Sequence, residues 1–443
     1  MISCVQRPAS AVVFPESSGQ GGRAIQIIRR HIEETVLEML QTFPAVYING
    51  PRQAGKTTLA HELLADRFQG RFITFDDALE RGAASRNPAA FLGEAGVPLI
   101  LDEVQLVPEL FRPLKMLVDE QRLMALRGDA NPNGRYLLTG SANLMVVPEL
   151  ADAMVGRMGT VTLLPLSGSE YCGTSGGFLD RCLARDFTGI SNGAGLPPLF
   201  EVMEAATFPG LARLAPAARE KWFQEYVNKV TLEDPQHIYR LEKAAQMPVL
   251  LQALAARAGN LLNDADLSRD TGLTPVTART YRNLLNGSFI THFLPPWFRN
   301  IGKRLVKAGK IYFHDTMLLA HLLRTSPPEL ARTRPQLFGH LLENFVLTEL
   351  TKMNSRRERR AEISFYRTRD GKEIDFVVEQ AGRLITIEVK NSEGITERDL
   401  AGIREFQSVT GKDFLCGVVL CNTRRVLSFD RNIHLVPLSA LWQ

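Results

Sequence analysis

Eight consecutive residues constrain this chain more than any other feature: Gly50-Pro51-Arg52-Gln53-Ala54-Gly55-Lys56-Thr57. They satisfy every fixed position of the pattern GxxxxGK[ST]. An apolar, β-branched run, Ala45 to Asn49, precedes them and reads as a buried strand, while the stretch TTLAHELLADRF that follows reads as a helix. In that setting a glycine-rich turn wraps a phosphate in backbone N–H groups, and the helix N-terminus adds positive potential. Gly55 permits close approach of backbone to phosphate. Lys56 neutralises β- and γ-phosphates, and the Thr57 hydroxyl is placed to coordinate Mg²⁺. Gly50 through Thr58 is therefore the candidate cofactor-binding stretch, with ATP and Mg²⁺ as the expected cofactors.

The flanking pattern supports this reading. Strand-like runs at FITF (from Phe72), VPLILDEVQ, RYLLTGSAN and TVTLLPL alternate with helical stretches through residues 45–165. That alternation predicts a parallel α/β sheet with helices on both faces. Leu99-Ile100-Leu101-Asp102-Glu103 is an apolar strand ending in two acids at the carboxyl edge, where ligands of such sheets bind. Asp102 is expected in the Mg²⁺ shell, and Glu103 is expected to orient or deprotonate the attacking water. The fourth strand ends in Thr139-Gly140-Ser141. Ser141, rather than Thr139, is the candidate for a hydrogen bond to water or γ-phosphate, with a helix N-cap as its structural alternative. Arg157 is a candidate donor to transition-state charge, within its subunit or across a subunit interface, with a surface salt bridge or an internal structural role as the alternative.

Composition narrows the class. At about 100–200 residues per domain, the 443-residue length predicts two to four domains. With 45% hydrophobic and 23% charged residues, the chain is globular rather than disordered. A net charge of +4 is too mild to predict nucleic-acid binding, so a basic patch must be sought locally. Cys4, Cys172, Cys182, Cys416 and Cys421 are scattered and form no CxxC pair, which argues against a disulfide framework or a cysteine zinc site and fits a reducing cytoplasm. No run of about 18 apolar residues predicts a membrane span. Residues 1–22 are small and polar, lack the apolar core of a signal peptide, and read as a mobile tail.

Residues 168–215 are dense in Gly, Pro and Ser and read as a lid or connector. From Leu250 to Phe298 the pattern of helix, short helix, turn at Thr271-Gly272, helix and strand pair predicts a winged helix-turn-helix. Thr274 to Leu285 takes the recognition-helix position, where Thr277, Arg279, Thr280, Arg282 and Asn283 are candidate DNA donors. Arg299, Lys303, Arg304, Lys307 and Lys310 form a basic run where the wing would lie, and Lys352, Arg356, Arg357, Arg359 and Arg360 form another. Solvated faces are the alternative for both. His292 and His314 lack metal-ligand spacing and read as core or surface residues.

From Lys310 the pattern is mixed α/β. Glu343 lies on a predicted helix, Asp375 in the strand EIDFVVEQ, and Glu388 and Lys390 at the end of LITIEVK. Alternate strand residues share a face, so Glu388 and Lys390 point to one side, within reach of Asp375 across a hairpin. Two carboxylates there can bind Mg²⁺, and Lys390 can position or help deprotonate a water. The arrangement resembles the PD-(D/E)xK nucleases, with Glu343 as an additional acid. Solvated, ion-paired strand ends are the alternative.

The order GPRQAGKT, LILDEVQ, LLTGSAN, VGRMGTVTLLPLS, followed by FGHLLENFVLTEL, FYRTRDGKEIDFVV and IEVK, resembles the bacterial and archaeal AAA-type ATPases (AAA_14-like) that carry a C-terminal DUF4143 domain. The resemblance runs from about Ile25 nearly to the C-terminus and implies ATP hydrolysis. The expected architecture is an α/β P-loop NTPase domain at 23–167 and a connector at 168–235. A winged helix at 236–309 and a mixed α/β, restriction-endonuclease-like domain at 310–443 follow. The expected function is an Mg²⁺-dependent ATPase whose C-terminal half binds DNA, with DNA cleavage there and homo-oligomerisation as candidate properties. The alternative is a nucleotide-controlled protein-interaction switch with a silent C-terminal domain.

Overall fold

The computed structural model describes residues 27–128, 131–141, 154–193, 195–211, 214–234, 244–300 and 308–443. The expected tail at 1–22, the helical stretch after Ser141 as far as Ala153, and Lys303, Arg304 and Lys307 lie outside them.

The N-terminal sheet has five parallel strands: β1 (Ala45–Asn49), β2 (Arg71–Thr74), β3 (Leu99–Asp102), β4 (Tyr136–Thr139) and β5 (Met158–Thr162). Their order is β2-β3-β4-β1-β5. Strands β1, β3 and β4 are buried along their whole length, as their unbroken apolar runs require, whereas the edge strands β2 and β5 alternate. The two-residue period splits the core in two. Tyr47, Leu99, Leu101, Tyr136 and Leu138 pack on one face with Phe111, Leu114 and Val118. Val46, Ile48, Ile100 and Leu137 pack on the other with Val36 and Leu40. The first of these helical faces belongs to the helix Phe111–Leu126 and the second to α1 (Glu33–Thr42); α2 (Lys56–Thr58) opens the helix after the loop, which continues as a π-helical stretch, Leu59–Leu64. Because β4 lies between β1 and β3, the ends Gly50, Gly140 and Asp102 stand side by side at one edge.

The remaining described chain packs around one large core running from Phe178 to Trp442 and a smaller one that includes Trp297, Ile374, Ile403 and Phe406. The segment expected as a connector is helical, with α3 (Gly168–Cys172), α4 (Phe178–Ala184), α5 (Leu199–Ala205) and α6 (Pro216–Asn228), and it contributes Phe178, Val202, Phe208 and Phe223 to that core. The short helices α3, α4 and α5 turn too often for a periodicity reading to register them, whereas the 13-residue α6 is long enough to show one. The winged-helix region has α7 (Asp264–Thr271), α8 (Pro275–Gly287), β6 (Thr291–Leu294) and β7 (Lys310–Phe313). Strand β7 pairs antiparallel with β6, with Leu294 opposite Lys310. The two-stranded sheet thus crosses the domain division expected at 309/310.

The long helix α9 (Pro335–Ser355) leads into β8 (Glu362–Arg367), β9 (Glu373–Gln380) and β10 (Arg383–Val389), an antiparallel meander. Helix α10 (Ala401–Thr410) then returns the chain to β11 (Phe414–Cys421), parallel to β10, and β13 (Ile433–Pro437) pairs parallel to β11, with the short β12 (Leu427–Ser428) at the edge. The second sheet therefore follows the order helix, three antiparallel strands, helix, parallel strand.

Candidate functional site

The phosphate loop leaves β1 at Gly50, whose φ of +145° and position against Leu163 admit no side chain: a Cβ there would lie 2.0 Å from the Leu163 carbonyl oxygen. Gly55 closes the loop at φ +94°. Lys56 is buried, and its Nζ donates to the Gly50 carbonyl at 3.1 Å and the Pro51 carbonyl at 2.9 Å. Burial lowers its pKa to about 8, with Glu103 and Asp102 opposing the drop.

Asp102 is the hub of the sheet edge. The Thr57 hydroxyl lies 3.0 and 3.1 Å from its two oxygens, and the Thr74 hydroxyl, from the end of β2, lies 3.1 Å from Oδ2. The Thr139 hydroxyl donates to Oδ1 and accepts from Glu103 N at 3.3 Å. These oxygens are the hard donors Mg²⁺ takes, so Thr57 and Asp102 fit the ion. Glu103 is held at φ +56°, a left-handed conformation rare outside glycine. Gln105, which the sequence did not single out, donates from Nε2 to Glu103 Oε2 and to Ser141 Oγ, the latter at 3.0 Å. Ser141 is thus joined to Glu103, whereas Thr139 is committed to Asp102. Arg157 pairs with Asp119 at 2.6 and 2.9 Å. The pairing of Asn49 with Thr162 places Arg157 at the amino end of the sheet, opposite its own phosphate loop.

Two long-range ion pairs reach the loop, and neither carries a sequence motif. Arg52 Nε lies 2.6 Å from Asp234 Oδ2, just past the stretch Lys229–Glu233. Buried Arg30 donates to the Ala54 carbonyl at 2.8 Å and the Leu164 carbonyl at 2.7 Å, and its Nε lies 3.2 Å from Glu170 Oε1. Glu170 also accepts from Ser167 N and His31 N, both at 2.9 Å. Burial alone would raise its pKa, but Arg30, His31 and these N–H groups bring it down to about 2.

A second cluster forms in the C-terminal sheet. Asp375 Oδ2 accepts from Val389 N at 2.8 Å, and Lys390 Nζ donates to Glu388 Oε1 at 2.8 Å. Glu388 Oε2 is buried with no hydrogen-bond partner. Burial raises Asp375 well above the usual carboxylate range, with Glu388 and Glu343 adding to the rise. Glu343 accepts from Tyr312 OH at 3.2 Å and lies 3.7 Å from Lys310 Nζ. Among the described residues, no group of three or more His, Cys, Asp or Glu is arranged to hold a metal ion.

The structure moves several basic candidates inward. Lys310, expected on a wing surface, is buried against Glu343 and Glu373. Lys352, expected in an exposed basic run, is buried and donates to the Leu166 carbonyl at 2.7 Å and to Glu349 at 3.0 Å. Lys310 looks like surface in the sequence because its acidic partners lie 33 and 63 residues further on, and Lys352 because the Leu166 carbonyl it meets lies 186 residues earlier. Arg356 bonds the carbonyls of Ser175 and Gly176, Arg357 pairs with Asp180, and Arg299 with Asp413, whereas Arg359 and Arg360 are exposed. In the recognition-helix position, Arg279 and Arg282 both pair with Asp264, Thr280 bonds the Val276 carbonyl, Thr277 bonds Thr274, and Asn283 is exposed. His292 and His314 pack edge to face at 4.9 Å, and burial lowers both pKa values.

Three known sequence families match successive parts of the chain: an AAA domain over residues 42–172, a domain of unknown function (DUF8612) over 199–329 and another (DUF4143) over 338–441. The uncharacterized protein Rv2008c of Mycobacterium tuberculosis is 30% identical over 371 residues, 83% of this chain and 74% of that protein. The uncharacterized protein Mb2031c of Mycobacterium bovis matches to the same extent. The chain belongs to the family of these mycobacterial proteins. As a member of this family it carries an N-terminal ATPase domain of the AAA type and a C-terminal DUF4143 domain. Among solved structures, the Walker-type ATPase PABY2304 of Pyrococcus abyssi aligns with 67% of this chain and 96% of its own, at 17% identity and a TM-score of 0.39, too loose an overlap to carry an argument. The AAA match contains the phosphate loop, Asp102, Glu103, Ser141 and Arg157. The DUF4143 match contains Glu343, Asp375, Glu388 and Lys390 but stops short of Lys310. No described helix is long and apolar enough to cross a membrane.

Proposed function

We propose that this protein binds ATP with Mg²⁺ at the Gly50–Thr58 loop and hydrolyses it. The supporting observation is the Thr57 hydroxyl set against Asp102, at the sheet edge where the loop begins. Thr57 and Asp102 would hold Mg²⁺, which supplies charge neutralisation at the β- and γ-phosphates. The loop N–H groups orient the phosphates, Lys56 neutralises them, and Arg52 stands beside them on the loop. Glu103 orients the attacking water and takes its proton. Gln105 and Ser141 fix the Glu103 carboxylate. Arg157 serves phosphate chemistry only from a neighbouring subunit, because its own loop lies at the other edge. In a phosphate-release assay, Glu103→Gln should keep ATP binding and lose about 10²–10⁴-fold in turnover. Hydrolysis at the wild-type rate would remove Glu103 from the mechanism.

For the C-terminal half we propose metal-dependent cleavage of DNA. The favouring observation is the unpartnered, buried Glu388 Oε2 beside Asp375 in a helix–meander–helix–strand sheet. Asp375 and Glu388 would hold the cation, and Lys390 would position the attacking water. Cleavage of supercoiled DNA with Mg²⁺ or Mn²⁺ should be lost in Asp375→Ala and Lys390→Ala. The internal pairing of Arg279, Arg282, Lys310 and Lys352 favours the second reading, a nucleotide-controlled protein-interaction switch. Absence of both cleavage and DNA affinity in the wild type would select it.

A further inference from the structure

Strand β7 belongs to the hairpin of the winged-helix region, outside the DUF4143 match, yet it reaches into the acidic cluster. Lys310 and Tyr312 are two residues apart and share a face of that strand. Tyr312 OH donates to Glu343 Oε2 at 3.2 Å. Lys310 Nζ lies 3.7 Å from the same oxygen and also pairs with Glu373, with the Phe365 ring 5.6 Å away. Glu373 is also within 3.4 Å of the more exposed Arg367, and His340 Nδ1 lies 3.7 Å from Glu343 Oε1. The acids therefore divide. Glu343 and Glu373 are engaged by β7, while Asp375 accepts from Val389 N and one buried Glu388 oxygen is unpartnered.

We propose that Lys310 is a positioning residue of the acidic site: it engages Glu343 in competition with a cation and thereby sets the affinity of the site for a divalent cation. The proposal rests on the metal-site reading of the cluster. A lysine ammonium and a divalent cation compete for one carboxylate, and their mutual repulsion is strong where water is excluded. A two-carboxylate site is completed by water and phosphate oxygens, as weakly held divalent sites are. Release of Glu343 adds a third carboxylate to the site.

The test is Mn²⁺ titration of the full chain without nucleotide or DNA, read by calorimetry and by the Mn²⁺-induced rise in melting temperature. Lys310→Met keeps the apolar stem over Phe365 and removes the charge. It should bind Mn²⁺ at least about tenfold more tightly than wild type and show the larger thermal shift. Lys310→Arg keeps the charge and should stay near wild type. A merely structural lysine would give the opposite sign, since a damaged site binds metal more weakly. Unchanged or weaker Mn²⁺ binding by Lys310→Met, with wild-type binding still abolished by Asp375→Asn, overturns the role of Lys310 alone. Absence in wild type and Lys310→Met of any binding sensitive to Asp375→Asn overturns the metal site and the proposal together.

Discussion

Glu170 shows how one buried charge ties sequence-distant parts of this protein together. Its carboxylate serves Arg30, which in turn bonds the phosphate-loop carbonyl of Ala54. Its pKa falls from 4.5 to about 2, so the folded state favours the ionised form by about 3 kcal/mol. The sign follows from proton binding. Above the unfolded value of 4.5 this stabilisation is fully present, and it is lost as pH falls from there toward 2. Glu170→Gln should therefore lower stability at neutral pH and flatten the loss between about pH 5 and 2, read from urea midpoints across that range. An unaltered acid slope would show that Glu170 does not carry it. At this scale, legibility followed locality. Lys56, Thr57 and Asp102 announce themselves because a strand, a turn and a helix start fix them within a few residues. Arg30, Glu170, Asp234 and Gln105 do not. The first three work through partners more than a hundred residues away, and a glutamine two places after Glu103 looks like ordinary helix surface. Lys310 and Lys352 were misplaced for a related reason, since a basic run shows charge but not the groups from other elements that fold onto it, Glu373 on Lys310 and the Leu166 carbonyl on Lys352.

Among the elements, the buried strands β1, β3 and β4 were readable from unbroken apolar runs, and their order follows from parallel pairing. The helices between 168 and 205 were not, because stretches of five to seven residues such as α3, α4 and α5 are too short to establish a helical period. Asn344 on α9 shows what holds one such element to the next. It is fully buried, accepts from Phe313 N at 2.7 Å, and donates to the Phe313 carbonyl at 3.2 Å and to Thr316 Oγ1 at 3.1 Å. It therefore satisfies the backbone where β7 ends. Asn344→Ala leaves those groups unpaired and should cost about 2–4 kcal/mol, seen as a lower denaturant midpoint at unchanged slope. A shift below about 0.5 kcal/mol would mean that solvent takes over the bonds.

Across the whole molecule, the phosphate loop is joined to the second core by two routes. One is Arg52 with Asp234. The other runs from Ala54 through Arg30 and Glu170 to α3, where Gly168 N donates to Glu349 at 2.8 Å and Lys352 bonds the Leu166 carbonyl. Both end on elements of the C-terminal half, so a change in the loop reaches that half through charge pairs. The Arg52–Asp234 pair is partly open to solvent and contributes little to stability, on the order of 1 kcal/mol. Its weight falls on the ligand instead. Asp234→Ala frees Arg52 for phosphate and should tighten nucleotide binding by about 3–10-fold in a direct titration. Weaker binding would show that Asp234 shapes the loop rather than competes with phosphate. The most direct measurement of the central claim is a calorimetric titration of ATP with Mg²⁺ into the folded chain and into Lys56→Ala. The wild type is expected to give saturable single-site heat that Lys56→Ala lacks. Equal heat from both proteins, or none from well-folded wild type, would contradict it.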